Sequence, residues 1–364
     1  MRKSVIAKGN IHPNDHARAL VTDTLPGDVP IVVSNDGFYK NIKAIPHANG
    51  HYQEFIDRLL KRARPYTIPY RYNILRPNGS PRKLSLMHPS GQIEVANFYR
   101  EYGNLIAYFC RKSDASIRSP RKVGSLFFVR GRGSEKNKLK GAGIDTTNLE
   151  NTVSNPASYF AYSGYDRIYK FFNSTDYMRL EKKYAVMYFA DISKCFNSIY
   201  THTLFWATAD VATAKDNTSV AGFSNAFDKL MQSVNYNETN GICVGAEVSR
   251  IFAELILSEV DKRAIENLRK DSLNFKINYE FRRYVDDFII FADDDVVAQK
   301  VMSSIKIALS EFNLLLNDEK TVKVSRPFIT VKSRIIRDAN IALSNFFERL
   351  CQNGLVMVDD RVSI

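Results

Sequence analysis

The chain has few of the residues that mark specialised protein classes. Its four cysteines, Cys110, Cys195, Cys243 and Cys351, are far apart and form no CxxC pair. We therefore expect neither a disulfide framework nor a zinc site. With 17 Gly, 12 Pro and 45% hydrophobic residues, the sequence is neither collagen-like nor disordered overall. Its 364 residues predict a globular protein of two or three packed subdomains.

Long apolar runs are also missing. Nowhere does the chain reach the roughly 18 consecutive apolar residues that a membrane helix needs. The first ten residues, MRKSVIAKGN, are basic at the start but are not followed by the apolar segment of a secretory signal. We therefore expect no membrane association and a reducing, cytoplasmic location.

Positive charge is abundant and unevenly distributed. The formal net charge of +12 favours a polyanionic partner such as nucleic acid. Residues 1–150 contain 25 Lys and Arg against 12 Asp and Glu, whereas residues 151–364 contain 26 against 27. The sequence therefore predicts a basic front part that binds a polyanion and an electrically balanced rear part.

Hydrophobic patterns predict an ordered series of helices and strands. The predicted helices are 52–64, 94–109, 200–214, 246–269, 296–312 and 339–351, and the predicted strands are 66–76, 81–88, 184–190, 276–283, 288–291 and 321–324. The order in the rear part predicts an α+β layer with helices behind an antiparallel sheet. Ten basic residues between 111 and 140 predict a flexible cationic loop. The aromatic residues that follow, between 159 and 177, have helical spacing, which favours core packing over base stacking.

Carboxylates stand at two strand ends. Asp191 closes an apolar strand, and Asp286 and Asp287 lie at a turn between two others, in RRYVDDFIIF. Ionised carboxylates beside an apolar sheet are costly unless they are paired or bind a metal, which favours a Mg²⁺ site. Two such ions would support phosphoryl transfer. The alternative is ordinary turn chemistry, because paired aspartates are common in β-turns.

Four segments occur in an order that is typical of one enzyme family. They are YFADISKCFNSIYTH, NGICVGAEVSRIFAEL, RRYVDDFIIF and LLLNDEKT. In this order they resemble motifs A, B, C and D of the reverse transcriptase palm. The resemblance covers about residues 66–330, with 76–88 and 116–122 similar to the fingers motifs. DISKCFNSIYTH and GxxVGxExSRIxAE are most similar to bacterial defence-associated, abortive-infection reverse transcriptases.

The resemblance implies a right-hand polymerase fold with fingers and a palm, and a set of site residues. Asp191 and Asp286 would hold two Mg²⁺ ions, with Mn²⁺ as an alternative, Asp287 would support them, and Ile192 would lend its carbonyl. Phe196 would be the steric gate that excludes ribonucleotides, or else an aromatic residue of the core. Lys320 would protonate the departing pyrophosphate, or else be an ordinary surface lysine.

Further implied roles concern nucleotide and template binding. Gly245 and Ser249 match the motif in which small residues let the backbone approach the nucleotide. Arg118, Arg121 and Lys122 would contact the triphosphate and template. Two residues depart from the family pattern, because Val244 stands where many relatives have Gln and Arg250 stands where Pro is common. These departures leave synthesis without a template, or from a protein primer, open.

The resemblance also implies a domain organisation and partners. We expect an N-terminal segment at 1–65, basic fingers at 66–180, the palm at 181–325 and a reduced or missing thumb at 326–364. Since only 44 residues follow Lys320, we expect a reduced thumb, for which completion by a partner chain is one arrangement; the alternative is a truncated polypeptide. The predicted function is an RNA-directed or non-canonically templated DNA polymerase in antiphage defence, using dNTPs, an RNA template or non-coding RNA, and a second copy or a partner subunit. The alternatives are a nucleotidyltransferase that works without a template and a non-catalytic nucleic-acid-binding subunit.

Overall fold

Twelve strands and eleven α-helices are seen in a computed structural model of the chain, in the part that it describes. That part consists of residues 6–10, 12, 14–24, 30, 33–44, 54, 58, 60, 64–75, 79–130, 158–165, 167–208, 218–326, 328, 331–352, 356–358 and 361–363. The strands are β1 (Ile6–Asn10), β2 (Tyr70–Leu75), β3 (Pro81–Leu86), β4 (Arg118–Val123), β5 (Leu126–Arg130), β6 (Phe160–Gly164), β7 (Val186–Asp191), β8 (Tyr279–Tyr284), β9 (Asp287–Ala292), β10 (Val322–Ser325), β11 (Val356–Val358) and β12 (Arg361–Ser363). The helices are α1 (Ala19–Thr22), α2 (Asp36–Ala44), α3 (Pro89–Phe109), α4 (Ile168–Phe172), α5 (Thr175–Lys183), α6 (Cys195–Ser198), α7 (Thr203–Thr208), α8 (Thr218–Ser233), α9 (Glu247–Lys270), α10 (Asp295–Ser310) and α11 (Val331–Gln352).

A four-stranded antiparallel sheet forms the centre of the rear part. Its strand order is β10-β7-β9-β8. Helix α10 packs against it, and α9 packs on α10 and shares the larger hydrophobic cluster with the sheet. Both faces of this sheet are covered, which explains why β9 is apolar at nearly every position. Phe288 and Ile290 belong to the larger hydrophobic cluster, while Ile289 and Phe291 belong to the smaller one on the opposite face. The prediction of an α+β fold with helices behind an antiparallel sheet is confirmed.

The larger hydrophobic cluster joins parts of the chain that are distant in sequence. It includes Ala19 near the N-terminus, Tyr99 on α3, Phe252 on α9 and Leu316 just before β10. Helix α9 is buried along most of its length, including polar positions such as Ser258 and Asp261. The domain boundaries drawn from the sequence stay a prediction, since one core crosses them.

The front part is attached to the sheet by a short backbone ladder. Ser116 forms a parallel bridge with Arg283 on β8. The N–H of Ile117 donates to the carbonyl of Arg283 over 2.9 Å, and the N–H of Arg283 donates to the carbonyl of Ala115 over 2.9 Å. The segment before β4 therefore extends the edge of the central sheet, so the positions of the front part and of the sheet are coupled.

The prediction of a flexible cationic loop over residues 111–140 is wrong for residues 111–130. Residues 110–112 form a 3-10 turn, β4 pairs with β6, and β5 pairs with β1. Composition could not reveal these pairings, because each partner strand lies far away in sequence. The glycine-rich stretch 131–143 lies outside the described residues.

Several predicted elements shift their bounds or their type. The hairpin of β2 and β3 is confirmed, with Leu75 opposite Pro81, although most of its turn lies outside the described residues. The aromatic residues Tyr159 and Phe160 are buried as expected, but the second lies on strand β6 and not on a helix. Helix α8 was not predicted, and of the predicted helix 52–64 only residues 54, 58, 60 and 64 are described.

The remaining observations concern membranes and the C-terminal part. No helix in the described ranges is both long enough and apolar enough to cross a membrane. Helix α11, Val331–Gln352, begins earlier than the predicted helix 339–351 and is exposed from residue 338 to residue 349. Whether this helix belongs to a thumb stays a prediction.

Candidate active site

Three aspartates are brought together at one end of the four-stranded sheet. Asp191 ends β7 and stands directly opposite Asp287, the first residue of β9. Asp286 occupies the turn between β8 and β9, and its carbonyl accepts from the N–H of Ile192 over 3.3 Å. Cross-strand neighbours in an antiparallel sheet have side chains about 5 Å apart. The structure thus places the three predicted carboxylates at one end of the sheet, near enough for their charges to interact.

The turn that carries Asp286 has an unfavourable backbone conformation. Tyr284 pairs with Asp287, which leaves Val285 and Asp286 as a two-residue hairpin turn. Val285 has φ of +58°, in the left-handed region that β-branched residues rarely adopt. Such conformations cost about 1–3 kcal/mol and persist only where surrounding contacts impose them.

The carboxylates repel one another in a partly buried environment. Burial raises the pKa of Asp286 and the charge of Asp191 adds to this effect, while a backbone hydrogen bond, Arg82 and Lys320 oppose it. Burial also raises the pKa of Asp287 to about 7, with the charges of Asp286 and Asp191 contributing. The site therefore has more negative charge than its cations balance.

Lys320 lies within this site and not on an unrelated surface. It ends a short 3-10 turn, Asp318–Lys320, just before β10. Its Nζ donates to Asp191 Oδ2 over 2.7 Å, and the N–H of Asn317 donates to the carbonyl of Asp191 over 2.7 Å. The segment leading into β10 is thereby fixed to the end of β7. The role of Lys320 as a proton donor stays a prediction.

The oxygen ligands of Asp191, Asp286 and Asp287 fit a hard divalent cation, although the three side chains do not form a coordination shell as they stand. Among the residues that the structure describes, no three His, Cys, Asp or Glu side chains are close enough to hold a metal as they stand. The fit rests on chemistry, because three carboxylates with uncompensated repulsion provide the oxygen ligands that Mg²⁺ prefers. The ammonium group of Lys320 supplies positive charge at Asp191.

Two residues after β7 were predicted to contact the nucleotide or metal. Ile192 is 1% exposed and bridges to Leu316, so its backbone is held beside the acids. Phe196 lies on α6 and is partly buried against the larger hydrophobic cluster. Core packing of Phe196 is thus seen, whereas its role as the steric gate stays a prediction.

The residues of the predicted motif B lie at the start of α9. Gly245 has φ of +119°, which strains any residue with a Cβ. Ser249 is fully buried, and its Oγ has no hydrogen-bond partner among the described residues. The N–H of Ser85 on β3 donates to the carbonyl of Val244 over 2.8 Å, so the fingers hairpin is attached to this segment.

The three predicted phosphate contacts share strand β4 but differ in their surroundings. Arg118 donates to Glu247 Oε1 over 2.8 Å, and its guanidinium lies over the ring of Tyr162. Burial raises the pKa of Glu247, but the charges of Arg118 and Arg250 outweigh it and lower that pKa overall. Arg118 is thus paired with Glu247 at the start of α9, whereas Lys122 is exposed and Arg121 is partly exposed.

Sequence reasoning missed two arginines near the acids. Arg82 on β3 is close enough for its charge to lower the pKa of Asp286, and nothing in the hairpin pattern singled it out. Arg283 on β8 is fully buried and bonds to the carbonyl of Val285 over 3.0 Å. The available signal was a pair of consecutive arginines within an otherwise apolar strand, RRYVDD.

The raised pKa of Asp287 predicts a pH-dependent stability in metal-free protein. Since the folded protein binds this proton more tightly than the unfolded chain, stability falls as pH rises from about 4 through 7. Asp287→Asn removes this effect. In EDTA, we expect the variant to match wild type at pH 4.5 and to exceed its free energy of unfolding by about 1–3 kcal/mol at pH 8, measured by urea denaturation. A difference independent of pH would contradict the assignment.

Comparison with known proteins identifies the family. The model of the family described as reverse transcriptase (RNA-dependent DNA polymerase) matches residues 144–337, which is more than half of the chain. The chain belongs to the reverse transcriptase family. Its central sheet and the helices behind it are accordingly the palm of a right-hand polymerase fold. No curated protein is similar enough in sequence to match the chain.

Solved telomerase structures show a weak similarity to this reverse transcriptase. Apo telomerase from Candida tropicalis is 15% identical, with a TM-score of 0.41, over 77% of this chain and 49% of the telomerase chain. Telomerase from Candida albicans in complex with a TWJ fragment of telomeric RNA is 12% identical, with a TM-score of 0.41, over 77% and 46%. The chain therefore spans about half the length of these telomerases, and likenesses this weak do not indicate a function.

Proposed function

We propose that the protein is an RNA-directed DNA polymerase that adds dNTPs by two-metal phosphoryl transfer. The observation that carries this proposal is the cross-strand placement of Asp191 and Asp287 beside Asp286 within a chain of the reverse transcriptase family. Two Mg²⁺ ions held by these carboxylates would polarise the phosphate and neutralise the leaving pyrophosphate. The protein's own contribution is to hold the acids, the sugar and the departing group in position.

The chain's residues divide that work. The Asp286 turn and the end of β7 hold the ligands, with Ile192 offering its carbonyl. Lys320, whose Nζ donates to Asp191 Oδ2, would donate a proton to the departing pyrophosphate. The basic fingers, which include Arg121 and Lys122, bind template and triphosphate through charge. The protein's action in bacterial antiphage defence belongs to this proposal and rests on the motif similarity alone. The proposed cytoplasmic location rests on the composition of the sequence.

A second candidate function is nucleotide addition without a template or from a protein primer. The departures Val244 and Arg250 favour it, because Val244 replaces the glutamine that helps position the incoming nucleotide in many relatives and Arg250 stands where proline is common. In this chain Arg250 donates to Glu247 Oε2 over 2.8 Å, and Glu247 also accepts from Arg118. Ion pairs with Glu247 thus hold the start of α9 in this chain, where many relatives have Gln and Pro.

The direct test is incubation of purified protein with each labelled dNTP and NTP, with and without RNA. RNA-dependent incorporation of all four dNTPs, with Mg²⁺ or Mn²⁺, supports the first function. Incorporation that ignores the RNA sequence supports the second. Nucleic-acid binding without any incorporation would leave the non-catalytic subunit as the function and would overturn both.

Phe196→Ala tests the steric gate. We expect the preference for dNTPs over NTPs to fall about tenfold or more, because the ring would no longer meet a 2′-OH. Phe172→Ala is the matched control, since Phe172 is partly buried against the smaller hydrophobic cluster. Incorporation ratios for the four nucleotide pairs give the measurement. Equal loss of selectivity in both variants would assign the effect to general loosening of the core.

A further inference from the structure

A buried ion cluster lies directly beneath the turn that carries the catalytic acids. Arg283 and Asp261 are 0% exposed, and Glu254 is 4% exposed. Arg283 is in β8, and the two acids lie seven residues apart on α9, which places them on one face two turns apart. The cluster thus joins the helix behind the sheet to the strand that enters the turn.

All five N–H groups of the Arg283 guanidinium have acceptors. The Nε group donates to Asp261 Oδ2 over 2.9 Å, and Nη2 lies 2.8 Å from the same oxygen. Nη1 donates to Glu254 Oε2 over 2.7 Å, and Nη2 donates to Glu254 Oε1 over 3.2 Å. The remaining N–H, on Nη1, donates to the carbonyl of Val285 over 3.0 Å. A lysine has a single nitrogen and cannot span these acceptors.

The two carboxylates are themselves held in place. Ser258 donates to Glu254 Oε1 over 3.2 Å. The hydroxyl of Ser113 donates to Asp261 Oδ2 over 2.5 Å, and its oxygen accepts from the N–H groups of Ala115 and Ser116. Because the chain just after Ser113 pairs with β8, the fingers, α9 and the catalytic strand meet at one guanidinium.

Stability alone is a poor explanation for this arrangement. One guanidinium faces two carboxylates in a dry interior, so the cluster carries an excess negative charge, and burial raises the pKa of Asp261. Replacing buried ions by packed apolar side chains is often neutral or stabilising. An apolar cluster could not, however, bind the carbonyl of Val285, the residue held in the left-handed conformation.

We propose that Arg283 is a positioning residue for the catalytic turn. Anchored by Glu254 and Asp261, it holds the carbonyl of Val285 and so fixes the strained turn in the conformation that presents Asp286 and Asp287 to metal. This inference rests on the proposed polymerase function and deepens it. It assigns to α9 and the fingers a direct influence on the geometry of the metal ligands.

The test compares Arg283→Lys with Arg282→Lys in the full-length chain. Arg282 is the matched control, because it is also buried and paired with two acids, Asp176 and Glu280, but on the other face of β8 and without a contact to the turn. We expect Arg283→Lys to raise the Mg²⁺ concentration for half-maximal dNTP incorporation about tenfold and to lower kcat, with KM for dNTP changed less than about threefold. Arg282→Lys should shift neither Mg²⁺ dependence nor kcat beyond about twofold.

Direct Mn²⁺ binding, measured by calorimetry without nucleotide, gives a readout that is independent of activity. We expect weaker binding in Arg283→Lys than in Arg282→Lys, both measured at a temperature where thermal melting shows them folded. Glu254→Gln is a second variant that should fold, since it removes excess negative charge from the cluster, and it should weaken Mn²⁺ binding in the same direction. If Arg283→Lys does not fold, Glu254→Gln alone decides.

Unchanged Mn²⁺ binding in both Arg283→Lys and Glu254→Gln, or equal losses in Arg282→Lys, would overturn the proposal. Failure of the polymerase function is a distinct result: wild type would then incorporate no nucleotide while the Mn²⁺ comparison still separates the variants.

Discussion

Asp286→Asn should lower nucleotide incorporation about a thousandfold or more while leaving the protein folded. Asp286 occupies the turn between β8 and β9, and its carboxylate is one of three at the edge of the palm sheet. Loss of a metal ligand forfeits several kcal/mol of transition-state stabilisation, and each 1.36 kcal/mol is tenfold in rate. Single-turnover incorporation of a labelled dNTP at saturating Mg²⁺ measures the effect.

A measurement of the free energy of unfolding distinguishes loss of activity at the site from unfolding of Asp286→Asn. Because burial and the charge of Asp191 raise the pKa of Asp286, the neutral asparagine should leave metal-free protein as stable as wild type, or more so, at pH 8. Asp293→Asn is the control, since Asp293 is an exposed aspartate just beyond the other end of β9 and should retain full activity. Incorporation by Asp286→Asn at more than about a tenth of the wild-type rate would remove this residue from the metal site.

Gly164→Ala should destabilise the fold by about 3 kcal/mol or more. Gly164 ends β6 with φ of +88°, and an added Cβ would lie 2.0 Å from the carbonyl oxygen of Ile117. That atom is backbone and accepts from the N–H of Tyr165 over 2.7 Å, so it cannot move without breaking the ladder between β4 and β6. The steric clash and the unfavourable φ act together, and each alone would lower the free energy of unfolding substantially.

Gly222→Ala is the matched control for this glycine substitution. Gly222 is exposed on α8, and no atom lies within 4 Å of the position of its added Cβ. Alanine there should stabilise the protein by up to about 1 kcal/mol, because glycine is unfavourable within a helix. Urea denaturation of both variants gives the comparison. Equal stability of Gly164→Ala and wild type would show that β6 does not pack against Ile117 as described.

The same substitution should also affect the active site. Ile117 donates its N–H to the carbonyl of Arg283, so a displaced Ile117 disturbs the strand that leads into the catalytic turn. We therefore expect Gly164→Ala to incorporate nucleotides more slowly even where it is folded. Activity equal to wild type under those conditions would show that the ladder beside β8 does not influence the turn.

The sequence predicted the palm well because its signals are local. YAVMYFA ends at an acid and FIIF begins after two, and apolar runs of this kind form buried strands wherever both sheet faces are covered. The hairpin of β2 and β3 was equally readable, since Asn78-Gly79 between two strand-like segments is typical of a tight turn, although the pairing of Leu75 with Pro81 leaves five residues between the strands and not two. Order along the chain was enough to place Asp191, Asp286 and Asp287 in one site.

What the sequence could not reveal depends on distant partners. Strand β4 looked like loop because its arginines and lysines dominate the composition, while its pairing with β6 is set by residues about forty positions away. The cluster around Arg283 was hidden for the same reason. Glu254 and Asp261 interrupt the apolar face of α9 with no local partner, and only the packing of α9 under β8 supplies one.

The strand order of the palm sheet has a consequence for how the chain folds. β7 is an inner strand, yet both of its neighbours, β9 and β10, follow it by about a hundred residues or more. During synthesis its apolar segment therefore leaves the ribosome with neither edge paired, and unpaired apolar strands promote aggregation. The acids of the site can meet only after β9 has formed. We expect the yield of soluble protein to depend on chaperones more strongly than its final stability would suggest.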